Sequence, residues 1–553
     1  MPEFKNRETR VQAASVWHGI AFAVLIAGLF MFLTNGIPLV QWGLTDFEIS
    51  KKVCTRWMRY GVLTMFLPFL VWAWKRPAAF QHLWLIQKVK VLSPKAVAAL
   101  LRFLLVSYAA SLSAVGLMRH WALETRAFDL GIFVQAVWNT AQGDFLYSSI
   151  KGGICYLGDH MSPLLALLAP LCRLVPAAES LIVIQVLMAA SCLFPIAFLA
   201  YEKTQHRLIA LLFAVMYVFY LPTRSALHED FHPEVLVDVF LLLAFIFMER
   251  KKTVLFCLSL LVAVSAKENM FGIAFMMGFY LVAWKGQKKT GLALMGSAVA
   301  LFLFVTRLAI PYFSGRPYLY DGNYQHLTQG FPVSLIQHLL QPDVLEYAWK
   351  VFLPFLFLPF FHLPTFVLTL PVLIQNLLSN NEAMRSFAYH YTTGLAPFLF
   401  VSAIYGFSEL CRRYAWIEKR KVFLSFCLLF VALLRSGPSE YFYYTDSASH
   451  RTAHRDMIRA QLREIPQQAS VLTHNSLIPQ MAQRKEIHQF DYHGVPTKAA
   501  LALEKRADYV ILEQDFWEPG TEPLELCLQT LRQAGYQITY ENAGFYILQR
   551  IAA

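Results

Sequence analysis

The chain has 553 residues, of which 57% are hydrophobic and only 15% are charged, whereas a soluble domain carries roughly 25% charged residues. This composition argues against a soluble globular protein. The formal net charge is +12, but the segment from residue 436 onward has more acidic than basic residues. The basic excess therefore belongs to the apolar part, and it predicts membrane orientation rather than nucleic-acid binding.

Apolar runs long enough to cross a bilayer core of about 30 Å recur up to residue 435. They include 15–33, 96–117, 181–201 and 292–313. Breaks at charged residues and at Pro/Gly clusters predict about 13 crossings. Lys5, Arg7 and Arg10 precede the first run and no small-residue cleavage site follows it, so we expect an uncleaved signal anchor.

Lys and Arg are concentrated in the loops after every second crossing, which predicts that these loops and the amino terminus are cytoplasmic. An odd number of crossings then places the segment from residue 436 outside. The sequence predicts an α-helical polytopic membrane protein in three parts. These are a membrane extension at 1–95 with two crossings and an interfacial helix at 77–95, a transmembrane core at 96–435, and an extracytoplasmic domain at 436–553.

The last part changes from continuous apolar runs to short β-like stretches separated by helix-like stretches. Strand-like stretches lie at 470–473, 508–512 and 536–548, and helix-like stretches lie at 453–464 and 523–533. This alternation predicts a small soluble α/β domain on the outer face.

Distinctive polar residues cluster at the predicted outer ends of the crossings. The clusters contain Asp129, then Asp159 and His160, then Glu229, Asp230 and His232, then Lys267 and Glu268, and finally His390. Ionisable groups at a membrane edge are costly to desolvate and often mark a site, so their concentration on one side predicts a single outward-facing cavity. Each cluster also has a structural explanation, as a helix cap, a turn, a local ion pair or an interfacial side chain.

Two further features carry a specific chemical hypothesis. His228, Glu229 and His232 fit the zinc motif H-E-x-x-H, but Pro233 disfavours a helix through His232, so a loop that delivers these residues to the cavity is preferred. Arg307 lies near the outer end of a crossing. It either snorkels to the interface or holds a lipid-linked phosphate.

The chain resembles a bacterial multi-pass membrane family that is catalogued as a domain of unknown function and is related to the GT-C glycosyltransferases. The similarity covers roughly 96–548. The residues that carry it are Phe128-Asp129-Leu130-Gly131-Ile132-Phe133 with Gln135 and Trp138, His160 with Pro163, Phe231-His232-Pro233, Lys267-Glu268, His390-Tyr391 with Pro397, and Ala507-Asp508-Tyr509-Val510.

This resemblance implies a GT-C-like core in a bacterial inner membrane and a glycosyltransferase that uses a polyprenyl-phosphate sugar and an envelope acceptor. It maps the catalytic carboxylate of the first outer loop onto Asp129, with Asp159 and His160 as further catalytic candidates. The candidate substrate-binding residues are Glu229, Asp230, His232, Lys267, Glu268, Arg307 and His390. Some GT-C enzymes use a divalent ion and others do not, so the metal requirement stays open.

Two alternatives remain at this point. A transporter or flippase would use the same ionisable groups as a gated path, but such proteins commonly show internal repeats, and we find none in the sequence. A membrane zinc hydrolase would use His228, Glu229 and His232 in the helical motif.

Overall fold

The computed structural model describes residues 51–83, 87, 92–173, 175–438, 440–490, 498–517 and 522–551. The predicted signal anchor at 15–33 lies outside the described residues. The predicted surface helix at 77–95 is described only in part, as the helix Pro77–Gln81 and the first residues of the helix that begins at Pro94.

The described chain is mostly helical. The helices up to residue 314 are Lys51–Lys75, Pro77–Gln81, Pro94–Trp121, Ile132–Gln142, Ala177–Ser191, Leu193–Thr204, Arg207–Val218, Leu221–His228, Asp238–Glu249, Thr253–Val264, Met270–Lys285, Lys288–Phe304 and Ile310–Ser314. Those that follow are Val333–Leu339, Pro342–Phe352, Leu363–Phe366, Leu370–Leu378, Ala396–Arg413, Ala415–Lys419, Lys421–Leu434, Glu440–His450, Ala453–Glu464, Ile478–Met481, Lys498–Lys505 and Leu524–Gln533.

Tighter and wider helical turns connect these helices. The 3₁₀ stretches are Tyr156–Gly158, Pro163–Arg173, Pro233–Val237, Leu319–Leu327, Leu353–Phe355, Leu358–Phe361, Val367–Thr369, Glu382–Arg385, His390–Thr392 and Gln514–Phe516. The π-helical turns are Ala127–Gly131 and Val305–Ala309. Mid-chain π-turns often occur at functional sites, and the first of them carries Asp129.

Three described segments are long and apolar enough to cross a membrane, by length and composition. They are Pro94–Trp121, Ala177–Thr204 and Lys288–Ser314, and the pair Arg207–Val218 and Leu221–His228, bent by 41°, makes a fourth if it is one span. Other predicted crossings coincide with shorter apolar helices. The membrane nature of the chain follows from these helices, whereas the number of about 13 crossings stays a prediction.

The carboxyl-terminal part contains a five-stranded sheet. In chain order its strands are β3 (Val471–Thr473), β4 (Ile487–Gln489), β5 (Tyr509–Glu513), β6 (Tyr536–Asn542) and β7 (Phe545–Arg550), after the short hairpin β1 (Tyr147–Ser148) and β2 (Ile154–Cys155). The spatial order is β4-β3-β5-β7-β6. The first three strands are parallel, and β7 and β6 are antiparallel to their neighbours.

Successive residues of a strand point to opposite faces, and β5 shows how the two faces of the sheet are used. Ile511 packs into the same hydrophobic core as the membrane helices. Val510 and Leu512 pack into a second core, with residues of the helices Lys498–Lys505 and Leu524–Gln533. The sheet is therefore joined to the helical part through one of its faces.

Candidate functional site

The turn Ala127–Gly131 presents Asp129 and is held from two directions. The backbone N–H of Arg126 donates to Asp230 Oδ2 at 2.7 Å. The N–H of the first residue of the turn donates to Asn475 Oδ1 at 2.6 Å. A loop of the helical part and a loop of the carboxyl-terminal sheet thus fix the position of Asp129.

Asp129 pairs with His232, whose two ring nitrogens both face oxygen atoms. His232 Nε2 lies 3.3 Å from Asp129 Oδ1, and His232 Nδ1 lies 3.0 Å from the carbonyl oxygen of Asp230. Burial alone would lower the pKa of the His232 imidazole, but the hydrogen bond and the charge of Asp129 raise it to about 9. Burial alone would raise the pKa of the Asp129 carboxyl, but His232 holds it below its usual value. The pair is therefore an aspartate and an imidazolium.

His390 stacks on His232, with the ring centroids 3.5 Å apart and the planes 21° from parallel. Glu229 Oε2 accepts from the His390 backbone N–H at 2.7 Å and lies 3.1 Å from its Nδ1. Burial and the neighbouring charge of His232 hold the pKa of His390 well below its usual value, so one of the two stacked rings is neutral. The His390 segment is anchored by Gly394, whose φ is +80° and whose N–H donates to Asp238 Oδ1 at 2.9 Å.

Asp159 lies in a second polar network. Its carboxylate is 2.8 Å from Lys151 Nζ, and it accepts from the hydroxyl of Tyr320 at 3.2 Å. The preceding Gly158 lies against another backbone, because a Cβ there would be 2.7 Å from the backbone nitrogen of Ser314. Glycine at this position therefore lets the turn that carries Asp159 pack closely against the end of a membrane helix.

Glu268 and Lys267 connect two further elements. Glu268 Oε1 lies 2.8 Å from His160 Nδ1 and accepts from the Tyr318 hydroxyl at 2.9 Å. Burial would raise the pKa of the Glu268 carboxyl, but His160 and Lys267 lower it to about 2. Lys267 Nζ donates to Glu234 at 2.6 Å, and this pairing outweighs burial and raises the pKa of Lys267 to about 12. Buried ions that are paired in this way are fixed rather than mobile.

These networks line one cavity of about 810 Å³, which contains seven of the ten predicted site residues. The seven are Asp129, Asp159, His160, His232, Lys267, Glu268 and His390. Apolar side chains form another wall, and they include Phe271, Phe275, Met276, Val299, Phe302, Leu303 and Ile374. Val299 and Leu303 are also exposed on the outside of the segment Lys288–Ser314, which is apolar enough to cross a membrane. The apolar wall therefore reaches the apolar outer surface of that segment.

The other three predicted residues do not line the cavity within the described part of the chain. Glu229 lies behind His390, and Asp230 is buried beneath the Asp129 turn, where it is 3.6 Å from Arg119. Arg307 is 58% exposed and pairs at 2.5 Å with Asp321, which does line the cavity.

The H-E-x-x-H residues do not form a continuous helix. The helix Leu221–His228 ends at His228, and both Glu229 and His232 have extended backbones. The ring of His228 packs against Tyr443, whereas His232 faces Asp129. The helical geometry that the zinc-hydrolase hypothesis requires is therefore absent, as Pro233 predicts.

Two groups of described residues could hold a metal ion, and one of them lies at this site while the other, His454, Glu513 and Asp515, lies in the carboxyl-terminal part. Glu229, His232 and His390 each offer a ligand atom, and these atoms lie within 4.8 Å of one another. Two imidazoles and a carboxylate suit zinc, which would act as a Lewis acid. An ion there would have to displace the proton of His232 Nε2, so its binding would weaken as the pH falls.

Several residues of the site were not predicted as site residues. They are Lys151, Glu234, Tyr318, Tyr320 and Asn475. Glu234 closes the cluster that begins at His228, and the tyrosines stand in an aromatic and acidic stretch, so both had a local signal. Lys151 and Asn475 have none, because their roles depend on partners that are distant in the chain.

The structure is similar to crystal structures of ArnT from Cupriavidus metallidurans, bound to undecaprenyl phosphate and in the apo state. In each comparison the TM-score is 0.50 and the sequence identity is 12%, and the match covers 82% of this chain and 98% of that chain. At this sequence identity, the similarity shows that the chain shares the fold of these ArnT structures. No curated protein matches the sequence.

Residues 119–547 match the model of a family described as predicted membrane protein (DUF2079). The match covers more than three quarters of the chain and contains every residue of the cavity networks described above. The chain therefore belongs to the DUF2079 family of membrane proteins.

Proposed function

We propose that the chain is a GT-C-type glycosyltransferase that moves a sugar from a polyprenyl-phosphate donor to an envelope acceptor at the outer face of the cytoplasmic membrane. The observation that carries this proposal is the composition of the cavity, which joins an aspartate–imidazolium pair to an apolar wall open to lipid. A lipid-linked sugar needs both features, since its head group is polar and its tail is apolar. The ArnT fold, with a structure bound to undecaprenyl phosphate, supports the same reaction class.

In the proposed reaction Asp129 is the general base. The acceptor oxygen forms a bond to the sugar C1, the bond from C1 to the phosphate oxygen breaks, and the acceptor proton passes to the Asp129 carboxylate. The polyprenyl phosphate leaves with the bonding electrons. Asp129 is suited to this role because His232 keeps it ionised and oriented while 35% of its side chain stays exposed. A correctly placed base contributes about 10² to 10⁴-fold.

The leaving phosphate needs positive charge near it. Lys151 and Lys267 line the cavity, and each is already paired with a carboxylate. We assign the binding of the phosphate to these two lysines rather than to Arg307. The guanidinium of Arg307 instead pairs with Asp321 at the cavity rim. Tyr320, stacked on His160 at 4.4 Å, offers an aromatic face and a hydroxyl to a sugar.

The test uses the purified full chain in lipid nanodiscs with radiolabelled undecaprenyl-phosphate sugars and an envelope extract as acceptor. Asp129→Asn should reduce the transfer of label to the acceptor by about 10² to 10⁴-fold, because it removes the base and keeps the shape. Asp144→Asn is the matched control, since Asp144 is exposed and pairs with Lys485 outside the cavity.

Full transfer by the Asp129→Asn variant would remove the base assignment. Movement of the labelled lipid between leaflets with its sugar linkage intact would instead indicate a flippase.

A further inference from the structure

The segment between the helices Ile310–Ser314 and Pro342–Phe352 has two chemically opposite sides. One side contributes to the cavity wall through Tyr318, Tyr320, Asp321, Asn323 and Tyr324. The other side exposes large apolar side chains, which are Leu319, Phe331, Val333, Ile336 and Leu340, each between 55% and 68% exposed. We call this segment the cavity lip.

The exposed apolar side chains are not the result of a poorly packed helix. The exposed residues of the helix Val333–Leu339 are spaced three and four positions apart, so they lie on one face. They are Val333, Ile336 and Leu340, which follows the last helical residue. The opposite face is well packed, since His338 is buried and its Nε2 lies 2.8 Å from the Leu377 carbonyl oxygen. The helix is therefore amphipathic, with its apolar face directed outward.

This outward face continues the lipid-facing surface of the neighbouring helices. Leu308 and Tyr312 are exposed on the segment Lys288–Ser314 before the lip, and Leu345 and Trp349 are exposed on the helix after it. Apolar patches of this extent are rare on surfaces that contact only water. Tyr and Trp are typical of the membrane–water interface.

We propose that the cavity lip lies in the interface of the bilayer leaflet on the side of the carboxyl-terminal sheet, with Phe331, Ile336 and Leu340 inserted among the lipids. It does not cross the membrane, because its turns include Gly315 and Gly330 and its polar residues include Arg316 and His326. Irregular backbone and such side chains are tolerated at the interface but not in the hydrocarbon core.

The charges beside the lip also favour lipid over a charged protein partner. Glu346 pairs with Lys350 at 2.5 Å, and Asp343 pairs with Arg385 at 2.7 Å, so the flanking acids are already neutralised. An uncharged apolar surface is what the acyl-chain boundary of a leaflet complements.

The position of the lip has a consequence for the cavity. Because one segment lies in the leaflet and also lines the cavity, the cavity mouth is held at the depth of the lipid head groups. A phosphate on a membrane lipid would then reach the polar networks without leaving its leaflet. This inference does not depend on glycosyl transfer, since a transporter of lipid-linked substrates would need the same placement.

The test measures depth directly by electron paramagnetic resonance on the full chain reconstituted in phospholipid vesicles. Spin labels are attached to Ile336→Cys and Leu340→Cys in a background whose eight native cysteines are replaced by alanine. Collision rates are measured with oxygen, which concentrates in lipid, and with a water-soluble nickel chelate. The controls are Leu301→Cys on a membrane helix and Leu526→Cys on the carboxyl-terminal part, both exposed leucines.

At positions 336 and 340 we expect collisions with oxygen to exceed those with the nickel chelate, as at position 301, and the ratio to be reversed at position 526. Preferential collision with the nickel chelate at positions 336 and 340 would overturn the proposal, because the lip would then lie in water. Low collision rates with both reagents would also overturn it, because a protein surface would cover the lip. Dipolar broadening between labels would identify that surface as a second copy of the chain.

Discussion

The coupling between Asp129 and His232 can be measured because the two groups stabilise each other in a defined pH window. The pKa of His232 rises from 6.5 to about 9. At 1.36 kcal/mol for each pKa unit, this difference corresponds to about 3 kcal/mol of folding stability. The folded state holds this proton more tightly than the unfolded state. The contribution is therefore complete below pH 6.5 and is lost as the pH rises through 9.

The Asp129 carboxyl sets the lower limit of the same window. Its pKa is lower in the folded protein than in the unfolded chain. Its contribution is therefore present above the ordinary pKa of an aspartate, about 4, and is lost as the pH falls. The charged pair should therefore stabilise the fold most at mildly acidic pH, where Asp129 is ionised and His232 is protonated.

A double-mutant cycle with Asp129→Asn, His232→Gln and the double variant measures this coupling in the free energy of unfolding. Unfolding is followed by SDS titration in mixed micelles, with EDTA present so that no metal contributes. We expect a coupling of about 1.5–3 kcal/mol at pH 6, typical of a hydrogen bond between charged groups, and a smaller value at pH 10, where His232 is neutral. The control cycle uses Asp144 and Lys485, whose exposed pair should give about 0–1 kcal/mol at both pH values. Equal coupling of Asp129 and His232 at pH 6 and pH 10 would refute the imidazolium assignment.

Four further outcomes follow from the structure. Asn475→Ala leaves the Ala127 N–H without its acceptor, which should lower the free energy of unfolding by about 1–3 kcal/mol. In the transfer assay this variant should lower kcat more than it changes KM. Asn475→Asp keeps an acceptor oxygen and should restore kcat. Gly158→Ala places a Cβ 2.7 Å from backbone and should lower the free energy of unfolding by about 1–3 kcal/mol. At Gly296 an added Cβ would meet no atom within 4 Å, and alanine is the better helix former. Gly296→Ala should therefore raise the free energy of unfolding by up to about 1 kcal/mol in the same SDS titration. Phe302→Asp puts a charge on the apolar wall and should weaken undecaprenyl phosphate binding, measured by native mass spectrometry, by about tenfold or more.

The sequence predicts the carboxyl-terminal strands well where apolar residues form a short run between polar residues. The stretches predicted at 470–473 and 508–512 are the strands Val471–Thr473 and Tyr509–Glu513. The stretch predicted at 536–548 is two strands, because Ala543 and Gly544 have positive φ and form the turn between them. The strand Ile487–Gln489 was missed, since three residues with one apolar side chain form no such run.

The residues of the site were easier to find than their partners. Isolated ionisable groups in an apolar sequence are conspicuous, and the polar clusters do meet in one cavity. Local sequence could not show that Lys267 pairs with Glu234 rather than with the adjacent Glu268, because the loop lengths permit both. It also could not show that Asn475 reaches the Asp129 turn, since 348 residues separate Asn475 from its donor.

The exposure of the cavity carboxylates supports Asp129 as the base. Glu234, Glu268 and Asp159 keep only 6%, 2% and 13% of their side chains exposed, and each is paired with a basic side chain. A buried and paired carboxylate cannot take a proton from a substrate without breaking its ion pair in a region of low dielectric. Asp129 is 35% exposed, so an acceptor hydroxyl can reach its carboxylate. Asp321 is 46% exposed, but it pairs with Arg307 at the rim, away from the stacked imidazoles. Among the described carboxylates that line the cavity, Asp129 alone is both accessible and paired with one of the stacked imidazoles.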